Sequence, residues 1–223
     1  MLLNELRKLI PSGEEGYFLQ MIRDIQPISP FHVAANMQMW LMDKGILTFQ
    51  QALQMQEKHG NKNKKLFEMP ETTFGIKWGQ KHILEIDPRF QNAPPNFDHH
   101  DLVLINKKIE VKATRAVRKG KGPLAHRALN STTLESYQMN FNHIFLDEAD
   151  VYAFMVVWTD DIWYWVIPKD SITIFLHKYQ NEYQMQINAK VIDSLIAYRC
   201  ERNDIANKII STKDQSCQSQ EQL

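Results

Sequence analysis

The chain has 223 residues, 43% of them hydrophobic, enough to bury one sizeable core. Lys plus Arg and Asp plus Glu number 26 each, so the formal charge is zero and global electrostatics neither suggest nor exclude a polyanionic partner. The cysteines, Cys200 and Cys217, give no disulfide framework or zinc spacing, the start MLLNELRKLI lacks a signal-peptide apolar block, and the longest apolar run, Val151 to Trp158, is too short to span a bilayer.

A cytoplasmic protein of a reducing compartment is therefore expected. Ser12-Gly13-Glu14-Glu15 has the capping-box form, and Tyr17, Phe18, Met21, Ile22 and Ile25 follow at helical spacing, so a helix is expected over Gly13 to Ile25. Pro27 and Pro30 end it, and Val33 to Met42 and Thr48 to Lys58 read as two further helices around the Lys44-Gly45 turn. GNKNKK, Gly60 to Lys65, is a basic connector. Thr72 to Trp78 and His82 to Ile86 are β-branched and aromatic and read as strands, whereas Arg89 to Asn96, with Pro94 and Pro95, reads as irregular. Leu102 to Ile105 and Ile109 to Ala113 form an expected hairpin; Thr133 to Phe145 reads as a helix. Val151 to Trp158 and Ile162 to Ile167 make a second hairpin, Lys190 to Ile210 a C-terminal helix, and Ser211 to Leu223 a disordered tail.

Side chains alternate along a strand, so Glu110 and Lys112 share one side while Val111 points into the opposite layer. If Ile105 lies opposite Lys108, Val103 pairs with Glu110 and Asp101 lies opposite Lys112 on the same face; a one-residue slip swings Asp101 away. Two carboxylates this close repel unless a cation lies between them, and Mg²⁺ prefers oxygen ligands and typically takes one or two protein carboxylates. Asp101 and Glu110 supply that number, the Val111 backbone carbonyl offers another oxygen, and Lys112 is placed to orient a water and offset developing charge. The plainer alternative is a surface ion pair on a hairpin.

The run FDHHDLVLINKKIEVKATRA, Phe97 to Ala116, resembles the PD-(D/E)xK nuclease superfamily, with Asp101 as the lone aspartate and Glu110-Val111-Lys112 as the ExK element. The resemblance implies a restriction-endonuclease-like fold with a central mixed β-sheet flanked by helices; the fold expected here is α/β, with a mixed sheet of about five strands, helices on both faces and an N-terminal helical portion. The resemblance further implies phosphodiester hydrolysis and dependence on Mg²⁺. A literal Pro-Asp pair is absent; Pro95-Asn96-Phe97-Asp98 comes nearest and makes Asp98 the rival to Asp101. Glu15 fits by position a fourth acid that the family often draws from an N-terminal helix, and it equally closes the capping box with Ser12. Gln138 resembles a polar residue near the active site in some members; the alternative is an exposed helical glutamine. Of His99 and His100, His100 is an auxiliary candidate to contact phosphate or position water, against the reading that both are loop polar groups.

From Ala113 to Leu134 there is no acidic residue, while Arg115, Arg118, Lys119, Lys121 and Arg127 supply positive charge and Asn130 adds a neutral donor. This segment is expected to touch double-stranded DNA. A compact chain without a Walker loop or methyltransferase motif suggests, within the resemblance, a sequence-specific type II restriction endonuclease. Such enzymes imply a homodimer and a cognate methyltransferase acting on the same site. The alternatives are a repair, recombination or mobile-element nuclease of the same superfamily, and a non-catalytic DNA-binding or interaction module. One nuclease domain is expected over 1–210, comprising a mainly helical portion 1–65, a catalytic sheet core 66–175 and a C-terminal helical portion 176–210, ahead of the tail 211–223.

Overall fold

The computed structural model describes residues 2–14, 16, 20, 33–60, 62–71, 73–94, 100–131, 133, 136–146, 149–179, 182–188 and 190–212. Its strands are β1 (Phe90–Asn92), β2 (Leu102–Leu104), β3 (Lys107–Arg115), β4 (Val117–Arg118), β5 (Tyr137–Ile144), β6 (Val151–Val157), β7 (Ile162–Pro168), β8 (His177–Tyr179), β9 (Glu182–Ile187) and β10 (Arg199–Cys200). Among the described residues they form a six-stranded sheet, order β1-β2-β3-β6-β7-β10, and a four-stranded sheet, order β4-β5-β9-β8. The larger sheet is mixed: β3 and β6 run parallel from Ile109↔Val151 to Arg115↔Val157, and its other pairs are antiparallel. The chain is thus mixed α/β with a mixed central sheet and helices.

Continuous apolar runs make β6 and β7 buried on both faces, as the centre of a covered sheet requires. On one face Tyr152, Phe154, Trp163, Trp165 and Ile167 meet Tyr137, Met139, Phe141, Met185 and Ile187 of the smaller sheet. On the other, Ile109, Val111, Ala153 and Met155 are covered by Ile83 of the helix Gln80–Leu84 and by Ile205 and Ile209 of the helix Ile205–Ile210. Each such side chain contributes about 1.5–3 kcal/mol by leaving water, so the two layers fix the sheet from both sides. Helices therefore cover one face and a second sheet covers the other, which corrects the expectation of helices on both.

The helix expected over Thr133 to Phe145 is strand β5. Leu134, Tyr137, Phe141 and Phe145 fit a helical period, but Tyr137, Met139 and Phe141 also alternate, and the need to cover Phe154 and Trp165 selects the alternation. Conversely, the strands expected at Thr72 to Trp78 and His82 to Ile86 are helical: a π-helix, Thr73–Gly79, runs into Gln80–Leu84. Phe74, Trp78 and His82, four residues apart, stack with ring centroids 5.0 and 4.8 Å apart. Phe90–Asn92 is a short edge strand rather than irregular chain.

The region read as a C-terminal helical portion holds β8 and β9, and the single helix over Lys190 to Ile210 is broken. It consists of a 3₁₀ segment Ile192–Tyr198, β10, a 3₁₀ turn Arg202–Asp204 and the helix Ile205–Ile210. The break lets Arg199 lie over the Trp163 ring at 4.5 Å.

The helices Val33–Asp43 and Phe49–Gly60 lie where helices were expected, and with a further helix, Leu2–Arg7, they bury Leu6, Met37, Leu41 and Leu47 together. Thr48 and Gln51 cap the third reciprocally, the Thr48 N–H donating to Gln51 Oε1 at 2.9 Å and the Gln51 N–H to Thr48 Oγ1 at 3.2 Å. Most of Gly13 to Ile25 and nearly all of the tail lie outside the described residues, as do Glu15, Asp98 and His99. No helix among the described residues is long and apolar enough to cross a membrane.

Candidate active site

The β2–β3 hairpin pairs Leu102↔Ile109, Val103↔Lys108 and Leu104↔Lys107, which puts its turn at Ile105-Asn106. The register expected from spacing, Ile105 opposite Lys108, is thus displaced by two residues. Lys107 enters the ladder because its side chain is buried and its Nζ donates to the Thr212 carbonyl at 3.0 Å. An even displacement leaves every side chain on its expected face. Asp101 lies one step beyond the Leu102↔Ile109 pair, beside Glu110 rather than Lys112, and its N–H donates to the Ile109 carbonyl at 2.9 Å.

Asp101 is held by two donors. Its Oδ2 accepts the Val111 N–H at 2.7 Å, and its Oδ1 accepts the Gln80 side-chain amide. Gln80 reaches it because Gly79 lets the helix approach the sheet: a Cβ there would stand 3.0 Å from Ala113 Cβ and 3.4 Å from Met155 Cε. Sequence reasoning missed Gln80, since the helix carrying it was read as strand and a lone glutamine gives no signal.

Glu110 is 2% exposed. Its Oε1 meets Lys112 Nζ at 2.8 Å, while Oε2 is buried and lacks a hydrogen bond of good geometry among the described residues. Burial pushes its carboxyl from the ordinary 4.5 up to about 7; the Lys112 ammonium pulls it back, Asp101 pushes it up, and the Phe145 backbone N–H lowers it slightly. Burial likewise raises Asp101, against the Val111 N–H, Lys112, Gln80 and His100, all of which lower it. His100 is buried at 7% exposure, next to Asp101 in sequence and near enough for its charge to act on that carboxyl. Phe145, a second residue that the sequence did not flag, presents a partly exposed ring 5.8 Å from Lys112 Nζ.

These residues suit a hard cation. Both carboxyls are short of compensating positive charge, and an unsatisfied buried oxygen costs about 1–3 kcal/mol until something coordinates it. Among the described residues there is no group of three or more His, Cys, Asp or Glu side chains placed to hold a metal ion, so the donors here are the two carboxylates alone. Two carboxylates match the donor set of Mg²⁺, which retains waters.

The basic segment divides into structural and exposed parts. Arg115 is 5% exposed; its Nη1 donates to the Leu66 and Met69 carbonyls at 3.1 and 2.8 Å, and its guanidinium lies 4.3 Å from the Phe74 ring centroid. The expected contact of Arg115 with DNA is therefore corrected: its guanidinium braces the helix Thr73–Gly79 from inside. Arg118, Lys119 and Lys121 are exposed. Arg127 donates to the Gly122, Arg118 and Gly120 carbonyls at 3.1, 3.2 and 2.9 Å.

No peptide among the described residues is cis, so in the 118–119 and 120–121 peptides the N–H points opposite to the carbonyl that Arg127 engages, and the Lys119 and Lys121 N–H groups face away from Arg127. Gly120 and Gly122 permit this at φ of 152° and 107°. The loop is anchored where Ser131 donates its N–H and Oγ to Asp160 at 2.7 Å each, next to the half-buried Asn130. Gln138 pairs with Val117 at the opposite end of β5 from Phe145, so the structure does not bring it to Asp101 and Glu110.

No protein-family model and no curated protein matches this chain.

Proposed function

We propose that the chain is a Mg²⁺-dependent endonuclease that hydrolyses DNA phosphodiester bonds, with a restriction-endonuclease-like fold and the sequence-specific action of a type II enzyme. The observation that carries the reading is the approach of Asp101, Glu110 and Lys112 to one another at the β2–β3 hairpin, beside a buried carboxylate oxygen with no partner of good geometry. A surface ion pair does not account for it, because Glu110 is 2% exposed and two acids share the site.

Asp101 and Glu110 would hold the cation, with the Val111 carbonyl as a further oxygen. When bound, the ion supplies Lewis-acid polarisation of a phosphate oxygen and acidifies a water. Gln80 and the Val111 N–H fix the Asp101 carboxylate so that its remaining lone pairs keep one direction. Lys112 donates one N–H to Glu110 and keeps donors to orient water and meet charge developing at phosphorus. The hydrophobic layer behind Glu110 excludes bulk water and strengthens each of these interactions.

Lys119 and Lys121, with outward N–H groups and ammonium side chains, would bind backbone phosphates, and Arg127 would shape the loop rather than touch DNA. The test is incubation of the purified full chain with plasmid DNA in Mg²⁺ or EDTA. Cleavage is expected only with Mg²⁺, and Asp101→Asn, Glu110→Gln and Lys112→Met should each lower it about 100-fold or more. Undiminished cleavage by the Glu110 variant removes that residue from the site.

A further inference from the structure

β5 and β9 turn a row of amides to solvent. Met139↔Ile187, Asn140↔Gln186 and Phe141↔Met185 are directly opposed, so the apolar pairs face the core while Asn140 and Gln186 face outward. Gln138 and Asn142 flank Asn140 on β5, and Gln184 precedes Gln186 on β9 opposite His177 of β8. The central pair is ordered, with Gln186 Nε2 donating to Asn140 Oδ1 at 3.0 Å. Alternation along a sheet with one solvated face calls for polar residues here, but asparagine is depleted in strands, so the run of carboxamides in particular is not accounted for by the fold.

We propose that this β5–β9 ribbon reads adenine edges in the major groove of duplex DNA, an inference that rests on the reading that the chain acts on DNA. A carboxamide carries a donor and an acceptor side by side, which is the pair that matches adenine N7 and N6–H₂, and a two-stranded ribbon fits a groove about 12 Å wide. The occupant follows from what borders the face. At one end β4 pairs with β5, Val117 opposite Gln138 and Arg118 opposite Tyr137, so the exposed cations Arg118, Lys119 and Lys121 lie just beyond the end of the amide row, where a phosphate backbone beside the groove needs them.

At the other end β5 leads into Phe145 beside Lys112. The ladder is irregular between Phe141 and Ile144, with His143 at φ 54°, so Asn140 and Phe145 are separated by at most about 17 Å at about 3.4 Å per residue, the rise of about five base pairs, and cleavage falls within about five base pairs of the adenines read. Glu182, at the Phe145 end of the ribbon, is engaged by His143 Nδ1 at 2.7 Å.

The experiment selects duplexes from a random-sequence pool on the full-length protein with Ca²⁺ replacing Mg²⁺, then measures affinities by fluorescence anisotropy. Enriched sites are expected to share fixed adenines. Asn140→Thr, which keeps strand propensity, and Gln186→Ala should each reduce the ratio of affinities for selected and scrambled duplexes by about 5- to 150-fold. Replacing those adenines by 7-deazaadenine, which lacks the N7 acceptor, should reproduce the loss in the wild type and add little in the Asn140 variant. Enriched sites without fixed adenine, or equal losses on selected and scrambled DNA, overturn the inference. A wild type that binds its adenine-containing site but cuts nothing in Mg²⁺ overturns the nuclease reading and leaves this one standing. Binding to no duplex at all overturns both.

Discussion

Replacing Glu110 by glutamine should stabilise the metal-free protein while destroying its activity. A carboxyl with a folded pKa of about 7 against an ordinary 4.5 binds its proton more tightly folded than unfolded. Between those values the folded state carries more protons, so stability falls as pH rises through the window. At about 1.36 kcal/mol per pH unit the ionised side chain disfavours folding by about 3 kcal/mol above pH 7. Glu110→Gln removes that penalty but leaves Lys112, whose side chain is 21% exposed, without its 2.8 Å partner. Subtracting about 1 kcal/mol for the lost pair leaves a net gain of about 2 kcal/mol at pH 8, or about 4–8 °C in Tm for a chain of this size. At pH 4.5 the gain should vanish.

Calorimetry in EDTA at both pH values measures this, and a parallel scan in Mg²⁺ should raise the wild type by about 3 kcal/mol at one hundred times Kd and the variant by much less. If Glu110→Gln lowers Tm at pH 8 as much as at pH 4.5, burial of the charge is not the dominant energy at the site.

His82 acts with the opposite sign. Burial, followed by the charge of Arg202, lowers its pKa from 6.5 to about 4, so the folded state carries fewer protons in that interval and stability drops as pH falls from about 6.5 to about 4. His82→Phe, which preserves the ring between Trp78 and Tyr164, should flatten that drop in an acid titration followed by tryptophan fluorescence. Ile105 sits at φ 59°, unfavourable for a β-branched residue. Ile105→Gly should therefore raise stability by about 1–2 kcal/mol in urea denaturation with cleavage retained. Arg115→Met should destabilise by about 3 kcal/mol or more, since three backbone carbonyls lose their donor; a loss of DNA affinity without loss of stability would return Arg115 to the DNA surface.

The parts of the fold that the sequence disclosed are those where a single pattern applies. Val151 to Val157 and Ile162 to Pro168 are apolar throughout and separated by a polar turn, a pattern with one economical solution, and the β2–β3 hairpin has apolar flanks on both sides of Asn106. Where two periods fit, tertiary packing decided. Tyr137 to Ile144 satisfies both helix and strand, and the tryptophan layer of the main sheet is buried only because a second sheet covers it. Around Phe74, Trp78 and His82, β-branched and aromatic composition outweighed a four-residue spacing that in fact marked the helix. The candidate carboxylates were legible because alternation along a strand is geometric. Gln80 was not, because it comes from a separate helix placed by Gly79. The inward turn of Arg115 depends on carbonyls at Leu66 and Met69, about fifty positions away.

The two-residue displacement of the β2–β3 register has a consequence for mutational tolerance. Lengthening or shortening the Ile105-Asn106 connection by a pair of residues preserves phase, keeping Asp101 and Glu110 on a common side, whereas a single insertion inverts one limb and parts them. Indel scanning through this loop should therefore give activity that oscillates with the parity of the added length instead of decaying smoothly.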